Sequence, residues 1–322
     1  PNGDPLWGTE LAADKPLSGH TLVPLGEDYV VGGVYGSGVE ADFWLAAVDD
    51  SGAVKWSTAL GGEQGDELYG LTATPEGSLV AVGPTHSYDV SFTGHWAVKL
   101  DGGGTALWQY AFDGGSNEWI TDVVVDTAGD YRLIGRLNYD ALVTRLGSDG
   151  TLKSAVAYDA GPYDEAFAGV ATPDGGLLVA GNTGLGDQAD LWLLRVTPDE
   201  EVQWTTSYGG PRREEVGGTI QYAWASTPLA PSDDGGFVVL SNSASFSDSF
   251  SDIWINKVSG TGGITYQPGN GVMRTSLAGT FEDYALTRST TNAVAVDVPL
   301  TATPLELRPY TPNAKIQVQA VP

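Results

Sequence analysis

Along most of this chain, apolar and polar residues alternate in short runs rich in Val, Ile, Thr and aromatic residues, and the runs are separated by Gly, Asp and Pro. Alternation bounded by turn residues predicts short β-strands joined by tight turns. The runs also recur. Trp44 with Trp56, Trp96 with Trp108 and Trp192 with Trp204 stand twelve residues apart, and Leu142 with Ser154 and Trp254 with Tyr266 keep the same interval. The fullest copy, DFWLAAVDDSGAVKWSTALGGEQGDELYGLTATPEGSLVAVG, spans residues 42–83. From the second Trp position to the closing glycine the distance is 27 residues in three successive copies, ending at Gly83, Gly135 and Gly181. A unit of about fifty residues holding four strands is the size of a propeller blade.

The pattern resembles the propeller-like repeats of secreted and surface proteins, which read DxWLxKxDxxGxxxWxxxyGGxxxDxxxxxxxTxDGGyxxxG; the resemblance covers nearly the whole chain. It implies an all-β propeller fold of four-stranded blades, and the spacing of the copies gives a count of six blades. By analogy with such blades, the strand after the acidic pair is innermost (A), followed by the one ending in Gly (B), the Asp-x-Trp strand (C) and the Val-x-Trp strand (D). The expected blades are residues 18–60, 66–112, 117–158, 164–208 and 214–268, with a sixth over 282–310. In the sixth, EDYALTRST, NAVAVDV and LELRPY are the expected A, B and C strands. Its D strand is expected from residues 4–11, because Trp7 precedes Gly33 by 26 residues, near the 27 of the other copies. N- and C-terminal strands then close the ring and remove open sheet edges. KIQVQAVP is left as an extra edge strand.

Composition changes the picture on the surface. There are 41 acidic against 15 basic residues, a net charge of -26, and Lys is scarcer than Arg. A polyanion has no cationic surplus with which to release counterions from nucleic acid, so a nucleic-acid partner is excluded. A dense acidic, lysine-poor surface stays soluble when salt screens its repulsion, which predicts a halophilic source. Together with the resemblance, it predicts an extracellular, cell-surface or virion location. With 41% apolar residues the chain can bury a core, and it has no cysteine for disulfides, thiol nucleophiles or thiolate metal sites. No apolar run reaches the roughly 18 residues of a transmembrane helix.

Candidate chemistry gathers on one face. The A-to-B and C-to-D turns are short and uniform, whereas the B-to-C loops vary in length and content, and variable loops on a rigid scaffold are the usual place for binding. Acidic pairs open the innermost strands on that face: Asp66 and Glu67, Asp164 and Glu165, Glu214 and Glu215, and Glu282 and Asp283. These carboxylates are candidate Ca²⁺ ligands, since Ca²⁺ takes six to eight hard oxygens. The competing reading is that they accept backbone N–H bonds and fix where each blade begins. In the second unit Glu118 is followed by Trp119. Eight of the ten tryptophans fall in repeat columns and are expected to pack between blades. Trp119 and Trp224 do not. With Glu118 and the inserted Tyr222, they are the candidate ligand contacts. Three scattered histidines suggest no metal triad or Ser-His-Asp set, and Walker, dinucleotide and haem motifs are absent. The expected function is therefore a non-enzymatic recognition or adhesion module, with a protein or glycan partner on the loop-rich face, as part of a larger surface layer, filament or virion. The alternative is a carbohydrate-active hydrolase or lyase using ring carboxylates.

Overall fold

The computed structural model describes residues 6–88, 90–161, 163–216, 228–245 and 252–263, and five short strands between 273 and 304. It is all-β and propeller-like. Sheet one comprises Leu17–Leu25, Asp28–Tyr35, Asp42–Val48 and Val54–Leu60; sheet two, Gly70–Ala73, Leu79–Thr85, Gly94–Leu100 and Ala106–Asp113. Sheet three comprises Glu118–Val125, Tyr131–Leu137, Asp140–Leu146 and Leu152–Asp159; sheet four, Asp164–Ala171, Leu177–Thr183, Asp190–Val196 and Val202–Gly209. In sheet five the innermost strand is split into Glu214–Glu215 and Leu229–Pro231, both on Phe237–Ser243, which in turn pairs with Asp252–Val258. The expected D strand of this unit, around Tyr266, lies outside the described residues. No helix among the described residues is long and apolar enough to cross a membrane.

Neighbouring sheets pack face to face. Phe43 and Leu45 of sheet one pack with Leu68, Leu71 and Trp96 of sheet two, and the same construction repeats between later neighbours. Trp96 and Trp192 are buried between neighbouring sheets, as their repeat position predicts, whereas Trp44 is buried on the other face of sheet one, against Leu11 and Ala13 of the N-terminal segment. The D-strand tryptophans do a different job. Trp7, Trp56, Trp108 and Trp204 lie against glycines of the next C-to-D turn, Gly52, Gly104, Gly150 and Gly262, whose φ values run from 76° to 84°. A side chain there would meet the indole, and a positive φ suits only glycine without strain. Among the described residues one interface departs from this rule. In sheet three the column holds Ser154, and its partner in sheet four is Glu200, with φ 68°. The Glu200 carboxylate accepts from Ser154 Oγ at 2.7 Å and from Nη1 of the buried Arg132 at 2.7 Å. Serine plus glutamate thus replaces indole plus glycine.

The C-terminal strands correct the expected sixth blade. Among the described residues, the stretches assigned to it do not pair with one another. They add a fifth, outermost antiparallel strand to earlier sheets in reverse order: Met273–Ser276 on sheet four, Thr280–Asp283 on three, Thr287–Thr290 on two and Val296–Asp297 on one. Thr301–Pro304 then pairs with Thr9–Ala12. Pairing between the termini is thus present, but as a two-stranded sheet. Glu282 and Asp283 lie on the perimeter and do not open an inner strand. The register is regular. The residue two beyond the D-strand Trp column (Thr206, Val156, Tyr110, Thr58 and Thr9) faces Ser276, Asp283, Thr290, Asp297 and Pro304 in turn, successive belt residues being seven apart. The belt covers the otherwise unpaired edges of the D strands. LELRPY and KIQVQAVP lie outside the described residues.

Candidate functional site

The site is built where the D-to-A and B-to-C connections meet. The first acid of each pair is a structural cap. Asp66, Glu118, Asp164 and Glu214 are wholly buried, and each accepts the N–H of the residue four before it: Gly62, Gly114, Ala160 and Gly210. The remaining oxygens of Asp66, Glu118 and Glu214 are taken as well, whereas Asp164 Oδ1 is buried without a hydrogen-bond partner. Asp66 accepts from Thr85 and Ser87, Glu214 from Ser243 Oγ and Ser245 N–H, and Glu118 Oε2 lies 2.9 Å from Nδ1 of the equally buried His95. Glu118 therefore does not reach the face on which it was expected to bind. A buried carboxylate that accepts several N–H and O–H bonds fixes its turn and has little capacity left for a ligand.

Three caps face a second acid at the start of the neighbouring C strand, 24 residues earlier: Asp42 with Asp66, Asp140 with Asp164, and Asp190 with Glu214. Where sheet two has Gly94 in that place, His95 supplies the partner instead. Oxygens of Asp140, Asp159 and Asp164 all lie within 4.8 Å of one another, close enough to share a hard cation; Asp164 alone of these was a predicted ligand. Burial, followed by the adjacent Asp66, pushes the Asp42 carboxyl up from 3.8 to about 6, and burial with Glu214 does the same for Asp190. The folded state thus holds these protons more tightly than the unfolded chain. Their stabilising contribution is present at low pH and is lost as pH rises from about 4 through about 6. Discounted for partial solvent screening, Asp42 is worth about 1 kcal/mol. Asp42→Asn is expected to raise Tm at pH 7.5 and flatten its dependence between pH 4 and 7, as differential scanning calorimetry would show; an unchanged pH profile would contradict the assignment.

The second residue of each pair points to a different arrangement. Glu67 accepts from the Tyr69 hydroxyl, Glu165 from Arg136 and the Tyr163 hydroxyl, and Glu215 lies 3.5 Å from Arg213. These contacts form a row across the sheets. His20 of sheet one stacks on Tyr69 at 4.9 Å, Tyr69 lies 5.9 Å from Trp119, and the Arg136 guanidinium lies over the Trp119 ring at 5.9 Å. Arg136 then reaches Tyr163 and Glu165 of sheet four, and Tyr163 lies 5.2 Å from Tyr139. Burial and Glu165 hold the Tyr163 phenol up at about 12, so it stays a donor. Trp119 thus lies half-buried within the row, between Tyr69 and Arg136. Tyr222 and Trp224 lie outside the described residues.

Beside the row opens a cleft of about 450 Å³, lined by Ser91, Phe92, Ser116, Asn117, Asn138 and Tyr139, with Arg136 at its wall. Phe92 and Tyr139 are mostly exposed. Asn138 takes φ 54°, a conformation asparagine tolerates, and its N–H donates to Asn117 O at 2.7 Å, tying the two loops together. Arg136 Nε is buried with no hydrogen-bond partner. Trp119, singled out from the sequence, lies in the row and is not among the residues lining the cleft, whereas Arg136, Tyr139 and Phe92, which line it, were not singled out. The signal for Arg136 was a cation after the closing Gly135, where other copies have Val34, Pro84 and Asn182. In comparisons with known proteins, no family model matches the chain and no curated protein matches it.

Proposed function

We propose that the protein is a non-enzymatic recognition module of a high-salt extracellular or surface setting, and that it binds a glycan in the Arg136 cleft. The observation that carries this reading is the lining itself. Two exposed rings, Phe92 and Tyr139, stand beside the side-chain amides of Asn117 and Asn138 and a buried Arg136 Nε that lacks an acceptor. Sugar hydroxyls supply acceptors and donors in a plane while their C–H faces pack on aromatic rings, so one pyranose satisfies both halves of the site. Glu165 already balances the Arg136 charge, which favours a neutral or weakly acidic sugar over a strong anion. Hydrolysis by paired carboxylates draws less support, because the described residues lining the cleft include no Asp or Glu and the buried first acids cap turns.

The test is a glycan-array screen followed by titration calorimetry on the best hit. Tyr139→Ala and Phe92→Ala are each expected to weaken binding at least about tenfold, or about 1.4 kcal/mol, with Tm nearly unchanged because both rings are exposed. Undiminished affinity in both variants would move the site elsewhere.

A further inference from the structure

The two ends of the row of sheets expose the two halves of a contact that the chain builds repeatedly inside itself. In each C strand the second and fourth residues face the next sheet. Phe43, His95, Ala141 and Leu191 hold the first of these positions and Leu45, Ala97, Val143 and Leu193 the other; all are fully buried. In sheet four, Leu191 and Leu193 do this by packing on Leu229, Phe237 and Val239 of sheet five. The same positions in sheet five hold Ile253 and Ile255, which are 72% and 67% exposed. Two β-branched apolar side chains at columns that are buried in every other sheet mark a face built to be covered.

The opposite end shows the receiving half. Sheet one presents Leu22, 61% exposed, and Tyr29, 38% exposed; the Leu22 column holds buried Leu71, Val123 and Leu229 in sheets two, three and five and Gly169 in sheet four, and the Tyr29 column holds Leu79, Tyr131, Leu177 and Phe237, all buried. With Trp7, Leu11, Val31 and Val48, Leu22 and Tyr29 line an apolar groove of about 370 Å³. The occupant is specified by the repeat. This groove is the surface that sheets two to five each present to the C strand before them, so it fits the Ile253 and Ile255 face of sheet five.

We propose that the sheet-five face of one molecule seats in the sheet-one groove of a second copy. The contact is heterologous, head to tail, so copies add until the assembly closes into a ring or grows as a filament. Because both surfaces are apolar and each chain carries a charge of -26, assembly strengthens as salt screens the repulsion between copies.

The experiment is sedimentation velocity of the full chain over a wide concentration range in 2 M NaCl. Two variants are used, Leu22→Glu and the double variant Ile253→Glu with Ile255→Glu; all three positions are exposed, so the variants fold. Larger species are expected for the parent chain, increasing with concentration and salt, and monomers for each variant alone. An equimolar mixture of the two variants is expected to give a species of two chains and nothing larger, because each retains one intact half. A parent chain that is monomeric throughout, or variants that stay monomeric when mixed, would overturn the proposal. If the variants also lower the Tm of a monomeric protein, the two halves meet within one chain instead.

Discussion

A chain ending at Asn270 is expected to lose at least about 10 °C in Tm and to aggregate on concentration. Such a chain lacks all five outer strands, from Met273–Ser276 to Thr301–Pro304. Four of them pair along the edge of a strand that is otherwise outermost in its sheet, and the fifth is the sole partner of Thr9–Ala12 among the described residues. Removing them bares edges that template intermolecular pairing. At a net gain of about 1 kcal/mol for each of the five crossings, the loss is about 5 kcal/mol, and each kcal/mol moves Tm by about 2–4 °C in a domain of this size. The measurement is differential scanning calorimetry with light scattering. An unchanged Tm with a monodisperse sample would show that the belt is not part of the fold.

The second large effect is expected at Ser154 and Glu200. Glu200→Gly relieves a positive φ, a gain of about 1 kcal/mol, but removes a carboxylate from Arg132, which is 1% exposed, and leaves the site of the missing indole empty. A net loss of about 2–3 kcal/mol follows. Ser154→Trp drives an indole into the Glu200 side chain and costs about 2 kcal/mol by overpacking. Combined, the two substitutions recreate the Trp-on-Gly contact of the other interfaces, while Arg132 keeps Asp126 at 3.0 Å. Urea denaturation of the four proteins is expected to show a favourable coupling of about 2–3 kcal/mol; additivity within about 0.5 kcal/mol would contradict the compensation.

Much of this architecture was legible in the sequence because it repeats. Strands alternate with period two, turns demand glycine, and the twelve-residue Trp interval locates C and D strands, so the expected units 66–112, 117–158 and 164–208 agree with the sheets to within a few residues. The C-terminal segment misled for a physical reason. An outer strand and an inner strand share the same alternation, so EDYALTRST and NAVAVDV read as ordinary blade strands. Only a seven-residue period, obscured by variable side chains, records that the chain steps from sheet to sheet. The site was half legible. Trp119 stood out as a break in a repeated acidic pair, but its importance lies in the row it joins, Tyr69 on one side and Arg136 on the other, and those residues meet only through packing between sheets. The acids were visible but ambiguous. Composition cannot distinguish a carboxylate that caps Gly62 or Gly210 from one that awaits a cation.

The glycan-binding reading is tested most directly by locating the ligand. Amide hydrogen exchange, with and without the strongest glycan from the array, reports which backbone segments become protected. Protection is expected in the segments carrying Ser91 and Phe92, Ser116 and Asn117, and Arg136 to Tyr139, which surround the cleft. Protection confined to the turns at Gly52, Gly104 and Gly150, on the C-to-D side of the sheets, would contradict it.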